Sequence, residues 1–273
     1  MSHFNLAIFT LDENPNLDEI MEPFFEGNRV EPYIDMTKSE LIEDARRQMQ
    51  CIFETRYAEW KAHPSEYEKG VNPSHIEYLK KLPELMKRSD EELYQEAIEG
   101  YEEDDLDEDG NLLSTCNPNS KWDWYEVGGR WHGMLLLKPG KKGSRGSPGL
   151  MTPASGNYDA AYAADIDFEQ MRKQSIAKLT PYEKMLTSGP YKEVYLRHCY
   201  PTERDYIQQN TCFHTYAVLT PDGAWYASGD MGWFGMSSET PEEKHSWELD
   251  YYEQFIRPAI TNGWYMTIVD CHI

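Results

Sequence analysis

Two stretches of the chain carry residue types that could do chemistry. The first is Trp122-Asp123-Trp124-Tyr125, followed closely by Gly128-Gly129-Arg130-Trp131-His132. Adjacent glycines let a backbone approach a ligand or adopt a positive φ. A guanidinium can fork onto a phosphate or carboxylate, and neighbouring indoles can stack on a base. The combination suits a planar anionic ligand such as a nucleotide. The same residues also have a plainer use, with the tryptophans in the core and Arg130 paired to Asp123 or Glu126. Neither the GxxxxGKS/T nor the GxGxxG fingerprint is present.

The second stretch ends the sequence. Along Trp264–Ile273, alternation places Met266, Ile268, Asp270 and His272 on one strand face, with Thr267, Val269 and Cys271 on the other. A carboxylate and an imidazole two residues apart can orient a proton-transfer pair. His3 joins them if the terminal strands are neighbours; otherwise Asp270 and His272 are a polar strand end. By the same alternation Arg130 and His132 are expected to share a face. A ligand pocket is then expected where Gly128–Gly133 meets the end of the last strand, with Trp131 as a wall. No GxSxG nucleophile signature occurs.

Metal chemistry finds weaker support. Asp105, Asp107, Asp109 and Gly110 match the start of a calcium loop, but Cys116 stands where a bidentate Glu belongs. Five scattered cysteines argue against a disulfide framework. The pairings His198-Cys199, Cys212-Phe213-His214 and Cys271-His272 lack zinc-knuckle spacing. The expectation is a chain without metal or cofactor.

The elements that must position these residues change character along the sequence. His3–Thr10 alternates, with Phe4, Leu6 and Ile8 on one side, and reads as a strand. Asn14–Phe25 reads as a short helix. The capping box Thr37-Lys38-Ser39-Glu40 opens a helix to about Trp60, with Leu41, Ala45, Met49 and Ile52 as its buried stripe. Pro73–Lys87 and Asp90–Glu103 read as further helices, so the first 105 residues are expected to be mostly helical after one strand. Met134–Leu137 is expected to be a strand, and Lys138–Gly149 a flexible basic loop. Asp165–Thr187 has a helical pattern. Phe213–Leu219 and Ala224–Ser228 flank a Thr220-Pro221-Asp222-Gly223 hairpin turn. Thr240-Pro241-Glu242-Glu243 caps a helix to about Ile256.

Terminal strands, a hairpin and inserted helices predict an α+β fold. Its sheet is expected to be antiparallel or mixed, to include both terminal strands and to carry helices on one face. The 273 residues are expected to form a single domain with a helical acidic insertion at about 14–105.

Composition limits the partners. Lys and Arg total 26 against 48 Asp and Glu, for a net charge of −22, which disfavours nucleic acid and anionic membranes because phosphate contacts need cations. The longest apolar run is far shorter than the ~20 residues that span a bilayer. The start, MSHFNLAIFTLDE, lacks the basic region of a signal peptide, so a soluble, cytoplasmic protein is expected. Between Asp90 and Asp109, 12 of 20 residues are acidic. They form either a solvated face or a docking surface for a basic, nucleic-acid-binding partner.

The start MSHF, the block NPNSKWDWYEVGGRWHGML, the segment TYAVLTPDGAWYASGDMGWFGMSSETPEEK and the ending FIRPAITNGWYMTIVDCHI resemble an uncharacterised bacterial protein family of phages, prophages and other mobile elements. The resemblance implies an accessory protein that acts by binding a host protein and inhibiting a defence component. The rival expectation from the residues is a hydrolase, a nucleotide-processing enzyme or a nucleotide-sequestering binder using Arg130, His132, Asp270 and His272.

If the acidic run docks a basic partner, neutralising Glu102, Glu103, Asp104 and Asp105 together weakens that complex. Rising salt does the same, because exposed charges are screened over about 8–10 Å at physiological ionic strength. Titration of the partner against both proteins checks this, and an unchanged affinity removes the acidic face as an interface.

Overall fold

The computed structural model describes residues 2–188, 193–232 and 236–273. These fall into two compact units, one formed by the residues up to Asn28 with Asn117–Ile273, the other by Arg29–Cys116. The strands are β1 (His3–Thr10), β2 (Arg29–Met36), β3 (Leu112–Cys116), β4 (Trp124–Gly129), β5 (Ser147–Pro148), β6 (Ala160–Tyr162), β7 (Ala217–Leu219), β8 (Trp225–Ala227) and β9 (Tyr265–His272).

The first unit is built on a mixed seven-stranded sheet in the order β5-β4-β9-β1-β7-β8, with β6 also pairing β9. Both terminal strands are in it, and the protein is α+β as its sequence predicts. β9 is central because it is apolar on both faces. β1 runs antiparallel along one side of β9, from His3 opposite His272 to Thr10 opposite Tyr265. The other side is shared end to end, β4 covering residues 269–272 and β6 covering 265–267. The β7–β8 hairpin forms at Thr220–Gly223, where Gly223 has φ +81°.

Helices pack around this sheet. Pro241–Tyr251 begins with a reciprocal Thr240–Glu243 capping box and continues through Tyr252–Ile256 and Arg257–Asn262. It ends at Gly263, left-handed at φ +70°. Tyr251, Phe255, Ile256 and Ala259 from this helix pack with Ala7, Phe9, Met266 and Ile268. On the opposite face Phe4, Leu6, Ile8, Val269 and Cys271 pack with Trp122 and with Met21 of the short helix Leu17–Met21. Burying an apolar side chain fully contributes about 1.5–3 kcal/mol, so both faces of β1 and β9 stabilise the unit.

Three expected elements differ. Met134–Leu137 makes isolated bridges, Leu135 to Tyr158 and Leu137 to Ile166, rather than a strand. The helical pattern of 165–187 breaks into Phe168–Lys178 and Tyr182–Ser188, because the residue before Pro181 is steered away from helical backbone. Lys138–Gly149, read as a loose loop, is tied down. Arg145 Nε donates to the Asn157 carbonyl at 2.8 Å, Gly146 N–H donates to Asp159 at 2.8 Å, and Ser147–Pro148 pairs with Gly128–Gly129.

The second unit holds the acidic helices. Its capping box is formed at Thr37, and Lys38–Ile52 packs Met49 with Leu79, Leu82 and Leu93. The segment is mostly helical as expected, with one addition: β2 pairs with β3 in a two-stranded antiparallel sheet. The Asp-rich turn binds itself: Asp107 accepts from the N–H groups of Asp109 and Asn111, each at 2.9 Å, and from the Asn111 amide at 2.8 Å. These bonds hold its carboxyl below the usual aspartate range. No helix among the described residues is long and apolar enough to cross a membrane.

In the first unit, Glu248 is buried on the helix Pro241–Tyr251, and burial pushes its carboxyl above the ordinary value of 4.5, partly offset by His214 at 3.9 Å. A carboxyl that ionises more readily in the unfolded chain costs stability once pH rises above 4.5. Glu248→Gln is therefore expected to raise the melting temperature at neutral pH, with the gain shrinking toward pH 4.5. Thermal melts across that range check the sign, and a less stable variant at neutral pH shows that the His214 pair outweighs the burial cost.

Candidate functional site: carboxylate-held histidines at one end of the sheet

Strand register alone assembles the site. Directly opposed residues share a sheet face, so Trp124 on β4, His272 on β9 and His3 on β1 form one row. Glu126, Asp270 and Asn5 form the next row along the same three strands. The face of β9 that carries Met266 and Ile268 into the core turns polar at Asp270 and His272.

Each histidine is fixed by a carboxylate. His3 Nδ1 lies 2.7 Å from Asp270 Oδ1, and His272 Nδ1 lies 2.6 Å from Asp123 Oδ1. An ionised carboxylate only accepts, so Nδ1 carries the hydrogen in each pair and Nε2 presents a lone pair in the neutral ring. The His3 and His272 rings meet edge to face with centroids 4.9 Å apart. His272 Nε2 is buried and has no hydrogen-bond partner. An unpaired buried acceptor costs about 1–3 kcal/mol, and such an atom is a candidate for chemistry or ligand contact.

Asp270 is buried, and its second oxygen accepts the Arg130 N–H at 2.8 Å. A parallel arrangement lies one residue away. Asp159, fully buried, takes His132 Nδ1 at 2.8 Å, Gly133 N–H at 2.6 Å and Gly146 N–H at 2.8 Å. Gly128 and Gly129 separate the two carboxylates, at φ +84° and +51°. A Cβ on Gly128 would stand 3.0 Å from Asp159 Cγ, and one on Gly129 would overlap the Asp270 side chain. The diglycine is therefore required twice over, for backbone conformation and for room.

The structure brings Asp123, Trp124, Asp270 and His272 together and adds His3, as the paired terminal strands predict. Other expectations are corrected. Arg130 and His132 do not share a strand face, because β4 ends at Gly129 and a turn follows, with Trp131 N–H donating to the Gly128 carbonyl at 2.9 Å. Arg130 contributes its backbone N–H, and its side chain is exposed rather than paired with Asp123 or Glu126. His132 turns to Asp159, so Arg130, His132, Asp270 and His272 do not converge as one constellation. Trp122 is core: it is buried, lies 4.9 Å from the Phe25 ring and donates to the Met21 carbonyl at 3.1 Å. Trp131 packs beside Met134 and Leu137 against the helix-covered core. Trp124 alone of the three remains half-exposed, its ring 6.3 Å from His3.

Asp159 lies outside the residues whose type and spacing point to chemistry. Its signal is a lone carboxylate inside Tyr158-Asp159-Ala160-Ala161-Tyr162, an otherwise apolar run. Cys271 faces the opposite core, where burial and the adjacent Asp270 push its thiol well up, leaving it an inert packing group. Among the described residues, no group of three or more His, Cys, Asp or Glu is placed to hold a metal ion. Glu102, Glu103, Asp104 and Asp105 lie in the other unit, all exposed. Compared with protein-family models, curated proteins and solved structures, the chain matches none.

Gly129→Ala is expected to destabilise the protein by more than Gly263→Ala. Both force a left-handed Ala, at about 1–2 kcal/mol, but only Gly129 faces a side chain, whereas Gly263 has open space. Denaturant unfolding of the two variants checks the difference. Equal losses show that the contact between Gly129 and Asp270 tolerates a methyl group.

Proposed function

We propose that the protein is a hydrolase that works by general acid–base catalysis, with His3 and His272 moving protons. The observation that supports this most is the bare, buried Nε2 of His272 beside a second imidazole, both rings fixed through Nδ1 by carboxylates. Proton transfer by a fixed imidazole uses an orienting acceptor on one nitrogen and an unbonded second nitrogen. Asp123 and Asp270 are positioning residues, and Glu126 lies opposite Asp270 on the same face.

A chromogenic panel comprising a phosphodiester, a phosphomonoester and a carboxylic ester tests the reading. Removing either imidazole, by His3→Ala or His272→Ala, is expected to lower kcat about 10²–10⁴-fold on the accepted substrate. Circular dichroism confirms that the fold is kept. No turnover of any of the three by the wild-type protein, or turnover unchanged in the double variant, rules the reading out.

A second reading has its own support in the other unit. The exposed run Glu102–Asp105 presents unburied carboxylates, and the resemblance to mobile-element proteins supplies a setting. On this reading the protein is a cytoplasmic phage or mobile-element accessory factor that binds a basic host protein and inhibits a defence component. An enzyme site in one unit and a docking face in the other are compatible.

A further inference from the structure

The apolar stripe Leu41, Ala45, Met49 and Ile52 runs along one side of the helix Lys38–Ile52, and it is only half covered. Leu41 and Met49 are buried, whereas Ala45 and Ile52 stay partly open. All four line a groove of about 360 Å³ in the acidic unit, together with Tyr78 of Pro73–Leu85 and Ala97 at the end of Asp90–Ala97. Two of these residues are alanine, and side chains that stop at Cβ leave the space beside them unfilled. Tyr101 also lines the groove, 48% exposed, and an open tyrosine ring is a common interface anchor.

Acid borders this apolar surface. Asp44, paired with Arg47, and Glu96 belong to the lining. Glu96 also belongs to an adjoining hollow of about 420 Å³, walled by Glu91, Glu92 and Glu99 with Arg88. Arg88 pairs with Glu96 and Lys38 with Glu91, so carboxylates still outnumber cations there. The exposed run Glu102–Asp105 follows Tyr101 directly in the chain. Across Arg29–Cys116, 23 Asp and Glu stand against 11 Lys and Arg.

Shape and charge together select the occupant. The walls are mainly helical, and they offer ridges to a further helix rather than an unpaired sheet edge to a strand. An apolar trough bordered by acid complements a helix with one apolar face and a basic opposite face. Met36 and Met49 in the lining add adaptable contacts.

We infer that this groove docks a basic amphipathic helix of another protein, its apolar residues seated between Ala45 and Ala97 and its Lys or Arg residues facing the bordering acids. The inference rests on the second reading above, and it moves the anchor of that complex from exposed charge to apolar contact. Exposed ion pairs contribute little each. The groove therefore supplies most of the affinity, and the carboxylates supply orientation and association rate.

Fluorescence anisotropy of the full chain with a labelled peptide of Leu and Lys, about 15 residues long, tests this. One version carries its leucines at helical spacing, and another has the same composition in scrambled order. The amphipathic peptide is expected to bind at least about 10-fold more tightly than the scrambled one. Filling the trough with Ala45→Leu and Ala97→Leu together, or truncating Tyr101→Ser, is expected to weaken binding at least about 10-fold. Circular dichroism checks that each variant is folded, and if the filled variant is not, Tyr101→Ser decides alone. No binding, equal affinity for the two peptides, or affinity unchanged in the folded groove variants overturns the inference. Self-association of the wild-type chain that the filled groove abolishes in light scattering also overturns it, by assigning the face to a second copy. The two readings fail separately. Binding that is lost on neutralising Glu102, Glu103, Asp104 and Asp105 but indifferent to the groove variants removes this inference alone. Groove-dependent binding that survives the neutralisation removes the acidic run as the interface.

Discussion

Two carboxylates, Asp159 and Asp270, are buried beside a diglycine turn, and the candidate site depends on how they are satisfied. A buried carboxylate without partners costs several kcal/mol. Asp159 meets that requirement with three donors, and Asp270 with two. In both cases one donor is an imidazole Nδ1 and the rest are backbone N–H groups of the segments that follow β4. The carboxylates therefore bolt the 130–133 turn and the 138–149 loop to the sheet and set the orientation of His132 and His3. Without Gly128 and Gly129 there would be no room for either acid.

The chemistry of the site follows from this anchoring. An imidazole loses rotational freedom when Nδ1 is hydrogen-bonded, and its other nitrogen becomes a fixed base or acid. His3 on β1 is held this way by Asp270 on the neighbouring β9, and His272 by Asp123 just before β4. Sheet register, rather than a loop, sets their spacing, and sites built on strands hold their geometry more closely than sites on loops. The surplus of acid over base, a net charge of −22, has a separate physical consequence: it discourages polyanions.

What was legible in the sequence was what periodicity encodes. Alternation along β9 placed Asp270 and His272 on one face, and the same pattern in β1 placed His3 within reach once the termini paired. Capping boxes at Thr37 and Thr240 marked helix starts correctly. Periodicity failed where burial does not alternate. β2 is largely exposed along its length and contains Pro32, so it has no apolar face to announce a strand. The turn after Gly129 reversed the expected geometry of Arg130 and His132, because positive φ at two consecutive glycines is decided by the carboxylates packed against them. Asp159 itself is far from those glycines in sequence, and its role emerges only when β6 and the 138–149 loop close over β4.

The most direct measurement of this anchoring is the tautomeric state of the histidines by long-range nitrogen–proton NMR correlation on uniformly labelled protein. The account predicts that neutral His3, His132 and His272 all carry their hydrogen on Nδ1, and that Asp270→Asn releases this preference at His3 while leaving His132 unchanged. Hydrogen on Nε2 in His3 and His272 would contradict it, since the carboxylates would then not be holding the rings and no free nitrogen would face the site.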